Sequence, residues 1–159
     1  MLFTELPFGL SGRIYRSAMP FGTYGPDGAI FEAYKQQGIS LVVLLAEEHE
    51  CLEKTKRSLK PLYQAEGWTV IHAPIQDFGV PSRQMIASAL DATIGYAQAG
   101  RHVAIHCSAG VGRTGLFVAL LARTILGLSG AQAVSWVRRC IPGAVETSEQ
   151  RAFVEAFFQ

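Results

Sequence analysis

Residues 102–106 form a short β-rich run, HVAIH, that leads through a glycine-punctuated stretch into a segment apolar on nearly every side. Three glycines, Gly110, Gly112 and Gly115, punctuate the join. A strand of this kind reads as buried on both faces, as in a parallel sheet. The segment 113–126 reads as a helix that can sit only inside a core. A second apolar run, residues 39–45, repeats the strand pattern. These two strands and the helix require a layered α/β domain rather than a bundle or a sandwich.

The remaining punctuation fits that frame. Residues 13–17 and 69–73 read as further short strands. Residues 27–37 read as a helix, with Ile30, Phe31 and Tyr34 on one face and Gly38 as the stop. Residues 50–66 read as one charged helical stretch. Ser82 caps a long helix carrying Met85, Ile86, Ala89, Leu90, Ile94 and Ala97 at helical spacing, and Gly100 ends it. Ser129 with Gln132 forms a capping-box pattern for a helix running to about Arg139. Thr147 with Gln150 forms another, opening a final helix anchored by Phe153, Val154, Phe157 and Phe158. The expectation is one catalytic domain over residues 1–159, with a central, mainly parallel β-sheet flanked by helices.

Composition excludes several classes. The 159 residues carry 49% hydrophobic side chains, which excludes a disordered chain. The formal net charge is +1, without the basic excess of a nucleic-acid binder, so no nucleic-acid partner is expected. The densest charge run sets Glu47, Glu48, Glu50 and Glu53 against Lys54, Lys56, Arg57 and Lys60, and reads as a solvated helical face. The longest apolar run, residues 116–128, is interrupted by Arg123 and is too short to span a bilayer, so no membrane association is expected. Residues 1–12 lack a basic leader and contain Glu5 and Pro7, unlike a secretory signal. Cys51, Cys107 and Cys140 are an odd count without framework spacing, which points to a reducing, cytoplasmic setting; a monomer is expected. His49 with Cys51, and His102 with His106, lack metal-ligand spacing, so no metal and no cofactor are expected.

The chemistry lies in the stretch His106-Cys107-Ser108-Ala109-Gly110-Val111-Gly112-Arg113-Thr114-Gly115. A tight loop entering a helix N-terminus aims several backbone N–H groups at one point, and the helix dipole adds positive potential there. The glycines let the backbone curl around an anion. Cys107 at the base of that cradle is favoured as a thiolate nucleophile. Arg113 offers a planar fork to two phosphate oxygens. The Thr114 hydroxyl can donate to the cysteine sulfur as it leaves. His106 orients the loop by hydrogen bonding.

Phosphate-ester cleavage also needs a proton for the leaving oxygen. The segment Ala73-Pro74-Ile75-Gln76-Asp77-Phe78-Gly79-Val80-Pro81 follows a strand and precedes the capped helix. Asp77, 30 residues before Cys107, is the candidate general acid.

The loop resembles that of the cysteine-based protein tyrosine phosphatase superfamily: His-Cys, five residues, then Arg followed by Ser or Thr. Every fixed position is filled here. Asp77, followed three residues later by Pro81's neighbour Val80 and then Pro81, resembles the general-acid loop of the smaller members. The segments Gly12-Arg13-Ile14-Tyr15-Arg16-Ser17 and Ala144-Val145-Glu146-Thr147-Ser148-Glu149-Gln150 resemble the opening and closing segments of small atypical dual-specificity phosphatases and their bacterial and archaeal relatives. Where those relatives often carry Arg-Pro-Gly, this chain has Cys140-Ile141-Pro142-Gly143, which implies a different turn.

The resemblance implies a dual-specificity phosphatase fold and a cysteinyl-phosphate mechanism. The phosphate loop would comprise Ser108, Ala109, Gly110, Val111, Gly112 and Arg113. Glu47 is either an acid bracing that loop or an exposed helix-start acid. Arg16 is either a substrate contact or the partner of a carboxylate, and Gln150 is accounted for by its capping box. Within that family the small, uncharged Ser108, Ala109 and Val111 disfavour a phosphoinositide, and the chain, lacking the added length of classical tyrosine phosphatases, implies a shallower site for phosphotyrosine, and phosphoserine or phosphothreonine, of a protein or peptide. The alternatives are a non-protein ester (phosphoinositide, small molecule or RNA 5′-phosphate), an idle phosphate-binding module, and sulfur transfer or arsenate reduction. Cys51 and Cys140 read as core packers, and Cys107 as oxidisable.

Overall fold

A computed structural model describes residues 3–158. Met1 and Leu2, the start of the segment read above as no leader, lie outside the described residues, as does Gln159. The strands are β1 (Phe3–Leu6), β2 (Ile14–Ser17), β3 (Ile39–Leu44), β4 (Thr69–His72) and β5 (His102–His106). The helices are α1 (Ala29–Gln36), α2 (Glu48–Thr55), α3 (Leu59–Ala65), α4 (Arg83–Gln98), α5 (Gly112–Leu126), α6 (Gly130–Cys140) and α7 (Ser148–Ala156).

The strands form one sheet in the order β1-β2-β5-β3-β4. β2, β5, β3 and β4 are parallel, which places their C-terminal ends along one edge. β1 pairs antiparallel with β2, Phe3 opposite Ser17. This edge strand is too short and too polar to announce itself beside the apolar runs.

Alternation along the central strands separates two cores. Leu41, Val43, Val103 and Ile105 face the side covered by α4, α5, α6 and α7. Val42, Leu44 and Ala104 face a smaller cluster containing Ile30, Phe31 and Tyr34 of α1 and Tyr63 of α3. α5 is buried from Gly112 through Ala122 and packs against α4, α6 and α7, as its all-round apolar sequence requires. No single helix among the described residues is long and apolar enough to cross a membrane.

β2, β3, β4 and α5 differ from the sequence expectation by one residue at one end, and three helical stretches differ by more. The 50–66 stretch is two helices, because Pro61 cannot extend a helix through its own fourth-preceding residue but fits the first turn of a new one. Lys56 closes α2 in a left-handed conformation, φ 59. α1 begins at Ala29, because Asp27 Oδ1 accepts the Ala29 N–H at 3.1 Å and forms a turn ahead of Gly28. α7 ends at Ala156, so Phe157 and Phe158 lie beyond it. Phe158 is 53% exposed and does not anchor the helix, whereas Val154 is fully buried. Both predicted capping boxes are present, on Ser129 and Thr147.

Leu120 is fully buried on α5, and Leu52 on α2 is 42% exposed. Leu120→Ala is expected to lower unfolding stability by about 2–5 kcal/mol through a cavity. Leu52→Ala is expected to stay within about 1 kcal/mol of wild type. Urea unfolding midpoints check both, and equal shifts would contradict this burial pattern.

Candidate active site

The stretch between β5 and α5 forms the floor of the site. Its carbonyls are tied from outside. The Met19 N–H donates to Ser108 O at 2.8 Å. Arg16 Nη2 donates to Gly110 O at 2.7 Å. His106 Nδ1 lies 2.9 Å from Cys107 O. In a trans peptide the C=O and the following N–H point opposite ways. These tethers therefore turn the amides of Ser108, Ala109 and Val111 away from the tethering groups. Gly110 has φ 78, and a Cβ there would collide with Ser17 O. Arg16 thus holds the loop's backbone, a role that neither expectation named.

A carbonyl only accepts, so His106 Nδ1 carries the proton and donates to Cys107 O. Its Nε2 then accepts the Tyr63 hydroxyl at 2.8 Å. The ring is fully buried, and burial is the main cause that brings its pKa down to about 4. His106 is therefore a neutral, doubly hydrogen-bonded ring under the loop. Tyr63 was not legible as its partner.

Cys107 is buried, and the Thr114 hydroxyl donates to its Sγ at 3.1 Å. Arg113, at the first turn of α5, is 2% exposed. Its Nη1 and Nη2 donate to Glu50 Oε1 and Oε2, both at 2.8 Å, and Nη1 also donates to Ile75 O at 2.9 Å. Burial opposes the Arg113 charge. The hydrogen bonds it donates to Glu50 outweigh that, helped by Cys107 and Asp77, and hold the guanidinium well above its ordinary range. Burial likewise opposes the Glu50 charge, but Arg113 and then Lys54 bring its pKa down to about 2.

Glu50, not Glu47, is thus the brace. Glu47 is the N-cap residue of α2, its side chain making no cap hydrogen bond. The charge run is only half solvated. Glu50, Cys51 and Thr55 are buried, and Lys54 Nζ donates to Glu50 Oε2 at 3.2 Å and to Ser108 Oγ at 2.6 Å. The signal was in the sequence: Glu50, Cys51, Lys54 and Thr55 share one helical face, and Cys51 marks it as the inner one.

Asp77 follows β4 on the segment leading to α4. Its carboxylate is 51% exposed, with Oδ1 at 3.4 Å from Arg113 Nη2. Oδ1 also accepts the Phe78 N–H at 3.1 Å. Phe78 has φ 63 and is 58% exposed. Gln150, fully buried, accepts the Glu146 N–H through Oε1 at 2.9 Å and donates through Nε2 to Gly79 O at 3.1 Å. Its capping role is real, and it also ties the Asp77 segment to the start of α7.

These elements enclose a cavity of about 110 Å³. Asp77, Cys107, Ser108, Ala109, Gly112 and Arg113 line it, with Tyr24, Lys54, Phe78 and Glu146. A larger hollow of about 310 Å³ lies behind α2, beside Cys51 and His72. Burial, followed by Glu50, pushes the Cys51 thiol up to about 11, which makes it a poor nucleophile. Cys51 packs in the smaller core and Cys140 against the larger one. Among the described residues no group of three or more His, Cys, Asp or Glu side chains is arranged to hold a metal ion.

The family model for Tc-R-P, the DSP-PTPase phosphatase of polymorphic toxin systems, matches residues 22–125. An uncharacterized protein of Methanocaldococcus jannaschii is 34% identical over 91 residues, covering 56% of this chain and 59% of that protein. The chain thus spans less than two thirds of that relative's length. Tk-PTP, solved in its active form, is 32% identical, with a TM-score of 0.78 over 92% of this chain and 91% of that one. Kinase associated phosphatase, solved with serine at its catalytic-site cysteine, superposes with a TM-score of 0.87 over 98% of this chain and 92% of that one. At 23% identity it is a likeness of fold.

The buried His106 makes stability depend on pH. Above its ordinary pKa of 6.5 the ring is neutral in folded and unfolded chains alike, and its full contribution is present. As pH falls from 6.5 toward 4, the unfolded chain takes up a proton that the folded chain refuses, and stability declines by roughly 3 kcal/mol. Glu50, lowered from 4.5 to about 2, adds its own loss only below 4.5. His106→Asn is expected to flatten the slope between pH 6.5 and 4.5 in urea unfolding. A slope unchanged by the substitution would contradict the neutral buried ring.

Proposed function

The chain belongs to the DSP-PTPase family of phosphatases, and from that premise we propose that it hydrolyses phosphotyrosine, and phosphoserine or phosphothreonine, of proteins or peptides through a cysteinyl-phosphate intermediate. One observation carries the reading: Cys107 and Arg113, from the join of β5 and α5, and Asp77, from the segment between β4 and α4, face one small cavity.

The Cys107 thiolate attacks phosphorus in line with the scissile bond. A P–S bond forms as the P–O bond to the leaving group breaks. The amides of the loop and Arg113 hold the equatorial oxygens, where charge is spread in the transition state. Arg113 needs no reorganisation to do so, because Glu50 and Ile75 O already fix its plane. Asp77 gives its proton to the leaving oxygen and becomes a carboxylate. Water then attacks phosphorus, its proton passes to Asp77, and the P–S bond breaks with its electron pair returning to sulfur. The Thr114 hydroxyl stabilises the departing thiolate.

The half-exposed Asp77 and exposed Phe78 make a low rim rather than a deep slot. That supports acceptance of short alkyl as well as aryl phosphates. A second reading, a non-protein ester with an additional anionic group, is favoured by Lys54, which reaches Ser108 from α2 at the cavity wall.

With excess EDTA present, p-nitrophenyl phosphate is expected to be hydrolysed, and Cys107→Ser to lose at least about a thousandfold in kcat. Asp77→Asn is expected to lose about 10²–10⁴-fold on alkyl phosphates and far less on p-nitrophenyl phosphate, whose leaving group needs no proton. An equal loss on both would remove Asp77 from the role of acid. Turnover that survives in Cys107→Ser would remove the covalent route. Faster turnover of inositol phosphates than of phosphopeptides would favour the second reading.

A further inference from the structure

We propose that Glu146 is a second carboxylate of the catalytic centre, one that orients the water attacking the phosphocysteine. This rests on the cysteinyl-phosphate reading above and assigns a side chain that neither the loop nor the Asp77 segment contains.

Glu146 lines the same cavity as Asp77, Cys107 and Arg113. Its carboxylate lies against Gly112, the first residue of α5. A Cβ on Gly112 would collide with Glu146 Oε1. The bare position 112 thus leaves room for the carboxylate to lie beside the cradle in this arrangement. No ion pair or side-chain hydrogen bond among the described residues engages that carboxylate. Unlike Glu50, it neutralises no buried cation and is open to water.

Its backbone, in contrast, is held firmly. The preceding Val145 is buried and has φ 59, a left-handed conformation that a β-branched residue rarely adopts. Arg138 secures that conformation, donating through Nε to Ala144 O and through Nη2 to Val145 O, both at 2.9 Å. The Glu146 N–H donates to Gln150 Oε1 at 2.9 Å, and the other end of that same amide holds Gly79 O. One buried side chain thus sets Glu146 relative to the segment bearing Asp77. Strain of this kind persists only where surrounding contacts over-determine it, and it concentrates at functional sites.

The chemistry of the second step supplies the use. Attacking water has two hydrogens. Asp77, already ionised by the first step, accepts the one that is transferred. Glu146 accepts a hydrogen bond from the other, which stays on the oxygen and leaves with the product phosphate. Both hydrogens being held, the oxygen lone pair is aimed at phosphorus. The O–P bond forms, the P–S bond breaks, and the pair returns to Cys107 Sγ. In the first step the leaving group occupies the place of that water, and Glu146 has nothing to orient. Its removal should therefore slow only the second step.

Glu146 is exposed, so Glu146→Gln and Glu146→Ala leave the fold intact. The test is rapid mixing with p-nitrophenyl phosphate, together with steady-state kcat over aryl phosphates of differing leaving-group acidity. Glu146→Ala is expected to release close to one equivalent of nitrophenolate in a burst at the wild-type rate. It should accumulate acid-trappable phosphoenzyme and lose about tenfold to a hundredfold in kcat, equally for every leaving group. Glu146→Gln, whose amide oxygen still accepts one hydrogen bond, is expected to lose less. Unchanged kcat overturns the assignment. So does a slowed burst, which would place Glu146 in the first step. Tighter inhibition by inorganic phosphate with unchanged kcat also overturns it, because the carboxylate would then only repel anions. Wild-type protein lacking Cys107-dependent release overturns both this assignment and the reading beneath it, and is recognised by wild type and variant failing alike.

Discussion

A guanidinium that is 2% exposed cannot be left unpaired, and most of the site is arranged around that constraint. Desolvating Arg113 alone would cost several kcal/mol, and a partner must recover that cost through close geometry. Glu50 does so with two parallel hydrogen bonds, and Ile75 O takes another N–H. The consequences extend outward from that pair. α2 must present its inner face to α5, which places Lys54 against Ser108. The start of the Asp77 segment is anchored at Ile75, whose N–H in turn donates to Leu45 O at 2.9 Å. A charge pair that is a doubtful source of net stability thereby fixes the relative positions of three segments. Replacing it with apolar groups would remove the site along with the charge.

Legibility in the sequence followed how local each requirement was. Cys107, Arg113 and Thr114 are close neighbours in the chain, and the strand, loop and helix around them carry their own periodicities. Asp77 could be found because its loop is bounded by a strand and a capped helix. Glu50 and Lys54 were hidden because charge counting treats a balanced run as solvated. Charge balance is also what a buried pair requires, and only the position of Cys51 on the inner face separates the two cases. Tyr63 escaped notice because its hydroxyl serves a histidine 43 residues away in the chain. β1 is an edge whose four residues acquire meaning only by pairing with β2.

Gln150 shows the same limit from the other side. A capping box accounts for its backbone N–H and its Oε1, and the motif is complete without further contacts. The side chain nonetheless has two amide hydrogens to place in a fully buried position, and an unmet donor there carries a desolvation cost. Gly79 O accepts one of them at 3.1 Å. A local sequence motif thus implied a distant partner by valence alone, though not which one.

The two sides of the cavity differ in how they are held. The floor is pinned by carbonyl tethers to His106, Met19 and Arg16, and by Thr114 at the sulfur. The Asp77 side rests on fewer contacts, chiefly Gln150 at Gly79 and the longer approach of Asp77 to Arg113. Anion binding and in-line attack need donors fixed before the reaction begins, because any reorganisation adds to the barrier. The proton donor proposed above faces a different demand, since a leaving group would enter past it and the freed alcohol would depart. Fewer tethers and greater exposure at Asp77 fit that demand, and the buried Arg113 gives the carboxylate one fixed point of contact.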